Sequence, residues 1–371
     1  FVTVSGSSSL EWMDTKNLDR LSLPDLFSRI KGVVVCHENE DQKTSSEQMQ
    51  EEVDRICGGL TDWGIEPGDR VAVWLPNGVP YVELLWAAAR LGIVIVSVNT
   101  RFRSTEVEDI VGRSGARLLV VDPSFLGIDF SGILSRIDPT RLGIEAVISL
   151  GGTIKGPWPT VHWDELLRST PSDVDRASPS LPWIVFTTSG TTSAPKLVLH
   201  HQQSPAEHAL DLEEWFGQSV LAAVPLCGVF GYTMLLGAMG AGSELVTMPV
   251  FDASIASLAI ERYGVTTFHG SDEMLLRIVE SGRDLSSLNA VGYARFDNAL
   301  EGVVEAASRV GVDAIGLYGM SEVHAIYSHR DSDFKDRSSV PGGTLVSTRA
   351  EARVIDPSTG DDVPIGLEGE L

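Results

Sequence analysis

Short apolar segments alternate with helical segments along most of the chain, and this alternation limits the folds that the chain can adopt. Strands are predicted at residues 70–75, 93–98 and 117–122, separated by predicted helices at 80–91 and 104–114. Strands that are joined by helices usually pair in parallel, and the helices cover the faces of the sheet. The pattern therefore predicts an α/β fold with a doubly wound, largely parallel sheet.

The same alternation resumes after residue 200 and predicts a second lobe of this kind. Its predicted strands lie at 220–225, 244–248, 265–269, 290–293 and 314–317, and its predicted helices lie at 204–216, 232–239, 254–263, 272–281 and 300–310. The segment between the lobes, 122–182, is rich in Pro, Gly and Ser and is predicted to link them, with one strand at 146–150 and one helix at 163–169. After residue 342, short β segments at 344–346 and 352–355 are typical of the start of a small β-barrel.

Together these elements predict one large composite domain over residues 21–371. We expect a helix-flanked sheet lobe over about 44–180, a second one over about 181–325 and a β-barrel portion over about 326–371. Two further helices are predicted at 21–27 and 44–60, and the Ser-rich residues 1–20 are predicted to form a loose tail.

The charge balance disfavours two classes of partner. The formal net charge is −23, and Lys and Arg do not cluster anywhere in the sequence. Nucleic acid and anionic membrane surfaces attract basic patches, so neither is an expected partner. An anionic ligand such as ATP would have to be held by local donors and a metal ion, against an unfavourable overall field.

The cysteine pattern indicates a reducing compartment, which we interpret as the cytoplasm. The three cysteines (Cys36, Cys57 and Cys227) are odd in number, far apart and without C-x-x-C spacing. Neither a disulfide framework nor a zinc site is therefore expected.

One apolar stretch, residues 219–243, contains 25 residues without a charge. Its length would allow a transmembrane helix, which needs about 20 apolar residues. Pro225, five glycines and the lack of flanking basic residues favour instead a buried strand, turn and helix.

A hydroxyl-rich loop at residues 187–193 is the strongest functional signal in the chain. Six of its seven residues carry a hydroxyl, the seventh is Gly190, and Pro195 and Lys196 follow shortly after it. Apolar segments on both sides predict a turn between two strands. Hydroxyls, backbone N–H groups, a glycine and a lysine together favour phosphate binding. A Ser/Thr-rich surface turn without a ligand is the alternative.

The ordinary P-loop is excluded, because Pro195 stands before Lys196 and Leu197 after it. The loop instead resembles the phosphate loop of the adenylate-forming superfamily, which contains acyl-CoA synthetases, luciferases and nonribosomal adenylation domains. That loop usually has the sequence T-S-G-T-T-G-x-P-K-G, and residues 188–196 match it except at Ser193, with Leu197 departing next. The loss of two glycines is expected to stiffen the loop and to affect turnover more than nucleotide binding. The resemblance implies that ATP is bound by Thr188, Ser189, Gly190, Thr191, Thr192, Ser193 and Lys196.

A second motif, L-Y-G-M-S-E-V at residues 317–323, follows a predicted strand, and α/β sheets bind ligands at strand ends. It resembles the Y-G-x-T-E motif of the same superfamily. This implies that Tyr318 and Gly319 line the adenine and acyl pocket, and that Ser321 and Glu322 hold Mg²⁺ on the phosphates. Two alternatives are a hydrolase nucleophile elbow, which lacks its last glycine because Val323 stands there, and a turn tyrosine with a solvated glutamate.

The segments that line the acid pocket in the superfamily depart from its usual pattern. The Pro-Leu-aromatic-His segment corresponds to residues 225–231, which lack the gating histidine. A usual Gly-Gly-Ala segment is replaced by residues 293–298, which introduce Arg295 and Phe296. The resemblance implies that the acid is bound by Gly228, Val229, Phe230, Arg295, Phe296 and Met320.

Two polar side chains near this pocket have competing interpretations. Arg295 is predicted to pair with a substrate carboxylate or the α-phosphate, and the alternative is a surface ion pair with Asp297 or a nearby acid. Cys227 is expected to be a core residue, because no motif pairs it with a histidine as a nucleophile would require.

His200 and His201 adjoin the loop, but neighbours on a strand face opposite ways, so at most one faces the site. Gln202 stands where the superfamily often has a histidine.

The resemblance ends at residues 369–371, near the end of the large N-terminal domain of the superfamily. We therefore expect a truncated adenylate-forming large N-terminal domain without the small C-terminal domain, which binds ligand better than it turns over. The full-length protein is expected to activate a carboxylic acid with ATP and Mg²⁺ to an acyl-adenylate and to pass the acyl group to coenzyme A. In that chemistry Lys196 and Glu322 are the expected catalytic residues.

Two other functions remain open from the sequence. An enzyme of the same superfamily could load the phosphopantetheine thiol of a carrier protein instead of coenzyme A. A non-catalytic nucleotide- or acyl-binding module is the alternative from another class, motivated by Ser193, Leu197 and the missing histidine. A homodimer is one candidate oligomeric state.

Overall fold

The computed structural model describes residues 22–188, 195–296, 300–330, 343–364 and 366–371. Its strands are β1 (Gly32–Val35), β2 (Gln42–Ser45), β3 (Arg70–Trp74), β4 (Val94–Ser97), β5 (Leu118–Val121), β6 (Ala146–Ser149), β7 (Thr160–His162), β8 (Pro182–Thr188), β9 (Lys196–His201), β10 (Ser219–Ala222), β11 (Glu244–Thr247), β12 (Thr267–Ser271), β13 (Ala290–Ala294), β14 (Ala314–Tyr318), β15 (Ser328–His329) and β16 (Thr344–Leu345). Its α-helices are α1 (Leu23–Phe27), α2 (Ser46–Asp62), α3 (Val79–Leu91), α4 (Ser104–Ser114), α5 (Phe130–Leu134), α6 (Pro139–Leu142), α7 (Trp163–Leu167), α8 (Gln203–Asp211), α9 (Val229–Ala241), α10 (Ala253–Tyr263), α11 (Asp272–Val279) and α12 (Val303–Arg309).

In the described part of the chain, the first sheet contains seven strands in the order β7-β6-β5-β3-β4-β8-β9. All neighbouring pairs are parallel except β8 and β9, which form an antiparallel hairpin. The side chains of β3 alternate between two cores: Val71 and Val73 face one apolar layer, and Ala72 and Trp74 face another. A strand with apolar residues on both faces is what a sheet covered by helices on both sides requires.

The second sheet contains, among the residues that the structure describes, nine strands in the order β16-β15-β14-β13-β12-β10-β11-β1-β2. Its centre is parallel, and antiparallel strands stand at both edges. Strand β1 comes from the start of the chain and pairs with β11, so that Gly32 stands opposite Glu244.

Helices fill the space between the two sheets and cover both outer faces. The largest apolar core contains side chains from both sheets and from α1, α2, α3, α8 and α9. A second core packs α4, α5 and α6 on the outside of the first sheet, and a third packs α10, α11 and α12 on the outside of the second. The predicted α/β fold with two helix-flanked sheets is therefore confirmed.

The two sheets do not divide the chain at residue 180, where the boundary between the two lobes was expected. Strands β8 and β9 belong to the first sheet, and β1 and β2 belong to the second. The segment 122–182, predicted to be a linker, contributes β6 and β7 to the first sheet. Local periodicity predicts that a segment is a strand, but the partner of a strand is set by packing against distant elements. The assignment of 21–371 as one domain stays a prediction.

The C-terminal part forms less regular structure than the sequence predicts. Strands β15 and β16 extend the second sheet, and the predicted strand at 352–355 is reduced to isolated bridges from Ile355 to Asp362 and Glu370. In the described residues of this region the strands do not close into a barrel.

The apolar stretch at 219–243 forms β10, a turn and the buried helix α9. A Cβ atom on Gly240 would overlap the backbone carbonyl of Ala209, so α8 and α9 pack at backbone contact. Within the described ranges, every helix is too short or too polar to cross a membrane.

We expect Gly240→Ala to lower the free energy of unfolding by about 1–3 kcal/mol, because the added methyl group forces α8 and α9 apart. Urea denaturation measures this change. Gly316→Ala is the control, because a Cβ there has the Arg330 guanidinium at 3.9 Å as its nearest neighbour, and we expect a change within about 0.5 kcal/mol. Equal losses for both variants would contradict close packing of the two helices.

A carboxyl group is buried in the layer between the sheets. Glu83 on α3 is inaccessible to solvent, and its carboxylate oxygens have no hydrogen-bond partner at normal distance among the described residues. Burial, and after it the nearby carboxyl of Glu52, raise the pKa of Glu83 to about 9. The folded protein therefore holds Glu83 in its neutral form at neutral pH.

This carboxyl makes stability depend on pH. Between an ordinary pKa of 4.5 and about 9, the folded chain keeps a proton that the unfolded chain has lost, so stability falls as the pH rises. We expect Glu83→Gln to remove a slope of up to about 1.4 kcal/mol per pH unit, and denaturation at several pH values measures it. Glu51→Gln, on the exposed side of α2, should keep the parent slope. An unchanged slope in Glu83→Gln would refute the assignment.

Candidate functional site

Strands β8 and β9, which the sequence predicts on either side of the hydroxyl-rich loop, pair as an antiparallel hairpin. Thr188 stands opposite Lys196 at the base of the loop, and Lys196 is exposed to solvent. Five of the predicted ATP-binding residues, Ser189, Gly190, Thr191, Thr192 and Ser193, lie outside the described residues. The hairpin therefore defines where the loop begins and ends.

Arg113, at the end of α4, binds the backbone at Pro195, immediately before β9. Its guanidinium donates to the backbone oxygen of Pro195 at 2.6 Å and to both carboxylate oxygens of Asp109 at 2.7 and 2.9 Å. The two-point pairing with Asp109 fixes the plane of the guanidinium. The backbone just before Lys196 is thus tied to a neighbouring helix.

The second motif meets the hairpin directly. Strand β14 ends at Tyr318, and Ser321–Val323 form a short 3-10 helix. Nε2 of His200, on β9, lies 2.8 Å from the backbone oxygen of Ser321 and donates a proton to it. Two motifs that are more than a hundred residues apart in sequence are thereby joined at the carboxyl end of a parallel strand, where α/β sheets bind ligands.

The backbone after the second motif turns back on itself. A Cβ atom on Gly319 would overlap the carbonyl oxygen of Ala325, so only glycine fits there. His324 and Ala325 both have left-handed backbone conformations, with φ of 57° and 63°. Each such residue costs on the order of 1–3 kcal/mol, and strain of this kind concentrates at functional sites. The turn is therefore held by its surroundings.

Three buried histidines lie beneath this turn. The His200 and His324 rings are 3.9 Å apart between centroids, and the His208 and His324 rings are 5.4 Å apart. Burial lowers the pKa of His200 and His324, and it lowers the pKa of His208 to about 4. All three rings are therefore neutral at neutral pH.

The sequence anticipated only part of this arrangement. His200 is buried against the turn and His201 is exposed, in agreement with the expectation that they face opposite ways. Gln202 is buried and donates to the backbone oxygen of Ala89 at 2.9 Å. Neither His208 nor His324 was singled out, because nothing in their spacing connects them with His200.

The predicted acid-binding residues lie at the carboxyl ends of strands of the second sheet. Gly228 and Val229 begin α9 after β10, and Arg295 and Phe296 follow β13 on the surface. Strands β10, β12, β13 and β14 are parallel neighbours, so these residues share an edge with Tyr318 and Met320. Cys227 is buried, and burial raises its thiol pKa to about 12, which is the behaviour of a core residue.

Asn77 positions the loop between β10 and α9, and the sequence did not identify it. Its side-chain amide donates to the backbone oxygen of Val224 at 3.0 Å, and its side-chain oxygen accepts from the backbone of Leu226 at 2.7 Å. Asn77 follows β3 in the first sheet, so this buried side chain connects the two sheets. The segment that carries Gly228 is thus held by hydrogen bonds from the first sheet.

The side chains of the second motif suit Mg²⁺. Ser321 is half-buried and Glu322 is exposed, so both can offer oxygen ligands to solvent. Over the described ranges, no three His, Cys, Asp or Glu side chains cluster in a way that could hold a metal ion. Mg²⁺ commonly uses one or two carboxylates together with waters and substrate phosphates. The donor set therefore fits a magnesium ion that arrives with a phosphate ligand.

Several curated proteins similar to the chain are named as ligases of an acid with coenzyme A or with an acyl-carrier protein. They include a fatty acid–acyl-carrier-protein ligase of Streptomyces coeruleorubidus (28% identity, 91% of this chain) and 4-coumarate–CoA ligase 5 of Oryza sativa (28%, 85%). A third, from Mycobacterium tuberculosis, is a CoA ligase for a propanoyl group that carries a methyl-dioxo-octahydroinden ring (30%, 83%). The matches cover 64%, 60% and 62% of these relatives, so the chain spans less than two thirds of their length.

Solved structures share the fold. An anthranilate CoA ligase in complex with anthranoyl-AMP superposes with a TM-score of 0.78 at 20% identity, over 94% of this chain and 68% of that one. A long-chain-fatty-acid–CoA ligase from Archaeoglobus fulgidus gives a TM-score of 0.77 at 22% identity, over 94% and 73%.

The family model of the AMP-binding enzymes matches residues 29–371, which is nearly the whole of the described structure. The chain therefore belongs to the AMP-binding enzyme family of adenylate-forming ligases.

Proposed function

We propose that this chain is the ATP- and acid-binding domain of an acyl-CoA synthetase. The observation that carries this proposal is the hydrogen bond from His200 to Ser321, which joins the base of the phosphate loop to the Y-G-x-S-E turn. A ligand that contacts both elements would have phosphates at the loop and a metal ion at the turn. The full-length protein would form an acyl-adenylate and then a thioester with coenzyme A.

In this proposal the chain supplies binding, orientation and charge rather than a nucleophile. The hydroxyls of the loop and Lys196 would donate to the phosphates, and Ser321 and Glu322 would hold Mg²⁺ against them. When bound, the ion would neutralise charge on the phosphates. The carboxylate oxygen of the acid would bond to the α-phosphorus as the bond to the β-phosphate breaks and pyrophosphate leaves. Positioning and electrostatic stabilisation account for catalysis of this type.

The proposed acid is apolar or cyclic. The edge of the second sheet that carries Gly228, Val229 and Phe230 also presents Phe296 and Met320, and Met234 lies in α9 behind it. Three of the similar proteins are named for a fatty acid, for coumarate and for an octahydroinden acid, and each of these is mainly apolar or cyclic. Arg295 is proposed to contact the acid carboxylate or the α-phosphate.

The thiol acceptor is proposed to be coenzyme A, and a carrier-protein thiol is the second candidate, because ligases of both kinds are among the similar proteins. A non-catalytic binding module is favoured by Ser193 and Leu197, where the superfamily has glycine, and by the missing histidine in residues 225–231. Pyrophosphate release by a longer form of the protein distinguishes the module from both enzymes, because a binding module would release none.

We expect the isolated chain to bind a non-hydrolysable acyl-adenylate mimic much more tightly than ATP or acid alone, because the mimic fills both subsites. Lys196→Ala and Glu322→Gln should each raise the Kd for Mg-ATP about 10- to 100-fold, since each removes a charged contact with the nucleotide or its metal. Calorimetric titration measures both effects. The exposed, distant Lys155→Ala and Glu66→Gln are the matched controls. If neither variant changes nucleotide affinity, the proposed site is wrong.

Arg295→Ala should weaken binding of the acid and of the mimic about tenfold while Mg-ATP affinity changes less, if the guanidinium meets the acid carboxylate. Arg295→Lys should recover only part of the affinity, because an ammonium group does not make the two-point contact. The same titrations provide the measurement. Unchanged affinity for both ligands in Arg295→Ala would assign the side chain to a surface ion pair.

A further inference from the structure

A buried set of polar side chains lies beneath the turn that carries Ser321 and Glu322. We call it the histidine network, and it consists of the buried His200, His208, Thr233 and His324 together with Ser204, an exposed residue at the start of α8 whose hydroxyl contacts His324. These side chains come from β9, α8, α9 and the turn itself. The proposed function assigns no role to any of them.

The network holds the turn at three points. His200 donates to the backbone oxygen of Ser321 at 2.8 Å, and Thr233 donates to the backbone oxygen of His324 at 2.5 Å. Nε2 of His324 lies 2.7 Å from the hydroxyl of Ser204. These contacts link the turn to β9 in the first sheet and to α8 and α9, which contribute to the largest core. The turn is therefore fixed on both sides of Glu322.

The left-handed backbone of His324 explains why these contacts are needed. His324 and Ala325 are consecutive residues with positive φ, and neither is a glycine. L-residues leave this conformation unless surrounding contacts hold them in it. Thr233 bonds to the backbone oxygen of His324, and Ser204 bonds to its ring. Without the ring, we expect the residues that follow Glu322 to leave the left-handed conformation.

The three histidines and Thr233 are too deeply buried to contact a nucleotide. His324 is 3% exposed and His200 is 6% exposed, while Glu322 points to solvent. Mg²⁺ requires near-ideal octahedral geometry, and functional side chains of this kind must be held within about 0.5 Å. A buried scaffold behind an exposed ligand meets that requirement.

We propose that His324, supported by His200 and Ser204, is a positioning residue that fixes Glu322 for binding of the Mg²⁺–nucleotide complex. This inference rests on the proposed function, because it assumes that Glu322 acts on the metal. It goes beyond that function in assigning the geometry of the site to a network that contacts neither ligand.

The test is a double-mutant cycle on the full chain, with parent, His324→Ala, Glu322→Gln and the double variant. Calorimetry measures the Kd for ATP with and without Mg²⁺, and thermal unfolding measures stability. We expect His324→Ala to raise the Mg-ATP Kd about tenfold and to leave Mg-free ATP binding unchanged. In the Glu322→Gln background, His324→Ala should not change the Kd for Mg-ATP further, because the carboxylate that His324 positions is already absent.

Milder variants keep the test decisive if His324→Ala does not fold. His324→Asn retains a polar side chain that tolerates left-handed backbone, and it should restore most of the Mg-dependent affinity. Ser204→Ala removes one hydrogen bond and should weaken Mg-ATP binding in the same direction, again only when Glu322 is present. His201→Ala, on the exposed side of β9, is the matched histidine control and should match the parent.

Three results would overturn the inference, and they differ in what else they overturn. If Glu322→Gln weakens Mg-ATP binding but His324→Ala and Ser204→Ala only lower thermal stability, the network is structural and the proposed function stands. If Glu322→Gln itself leaves Mg-ATP binding unchanged, both the metal role of Glu322 and the positioning role of His324 fail. Additive losses in the double variant also contradict positioning through Glu322.

Discussion

Burial of helices between two sheets is the interaction on which the rest of this structure depends. The apolar layer formed by α1, α2, α3, α8 and α9 fixes the distance and angle between the sheets. Each half of the candidate site belongs to a different sheet: the hairpin of Lys196 to the first and the turn of Glu322 to the second. The hydrogen bond from His200 to the backbone of Ser321 joins the hairpin to the turn. Because the site spans the sheets, its geometry is a consequence of how this layer packs. Close contact of α8 with α9 at Gly240 is one of the details that set it.

Buried polar contacts add direction to this apolar packing. Apolar surfaces attract without preferred orientation, and hydrogen bonds between fixed groups select one alignment. Asn77 satisfies backbone groups of the β10–α9 loop from the first sheet, and His200 satisfies the backbone of the turn. Both side chains cross from one sheet to the other, and both end at segments proposed to bind ligand. The buried carboxyl of Glu83 lacks such partners among the described residues and stays neutral instead.

The turn after β14 combines strain with support. Gly319 allows the backbone to fold back over the end of the strand, and His324 and Ala325 adopt conformations that L-residues usually avoid. The cost is offset by a dense set of contacts from three other elements. An exposed carboxylate on a turn would ordinarily sample many positions. Here the residues on either side of Glu322 are held by buried contacts. These contacts fix the backbone of the turn, while the exposed carboxylate stays available to a ligand.

The sequence by itself determined the type and approximate position of most elements. Helix α4 begins and ends where periodicity predicts, and β3 differs by a single residue at its end, because both signals are local. The two motifs, the family and the opposite orientations of His200 and His201 were also within reach of sequence reasoning. Only the tertiary structure decided that β1 and β2 join the second sheet, that β8 and β9 join the first, and that His324 lies against His200 and Ser204. The physical reason is that periodicity and turn chemistry act over a few residues. The pairings that place β1, β8 and His324 instead join residues 89 or more positions apart and are selected by the packing of the whole core.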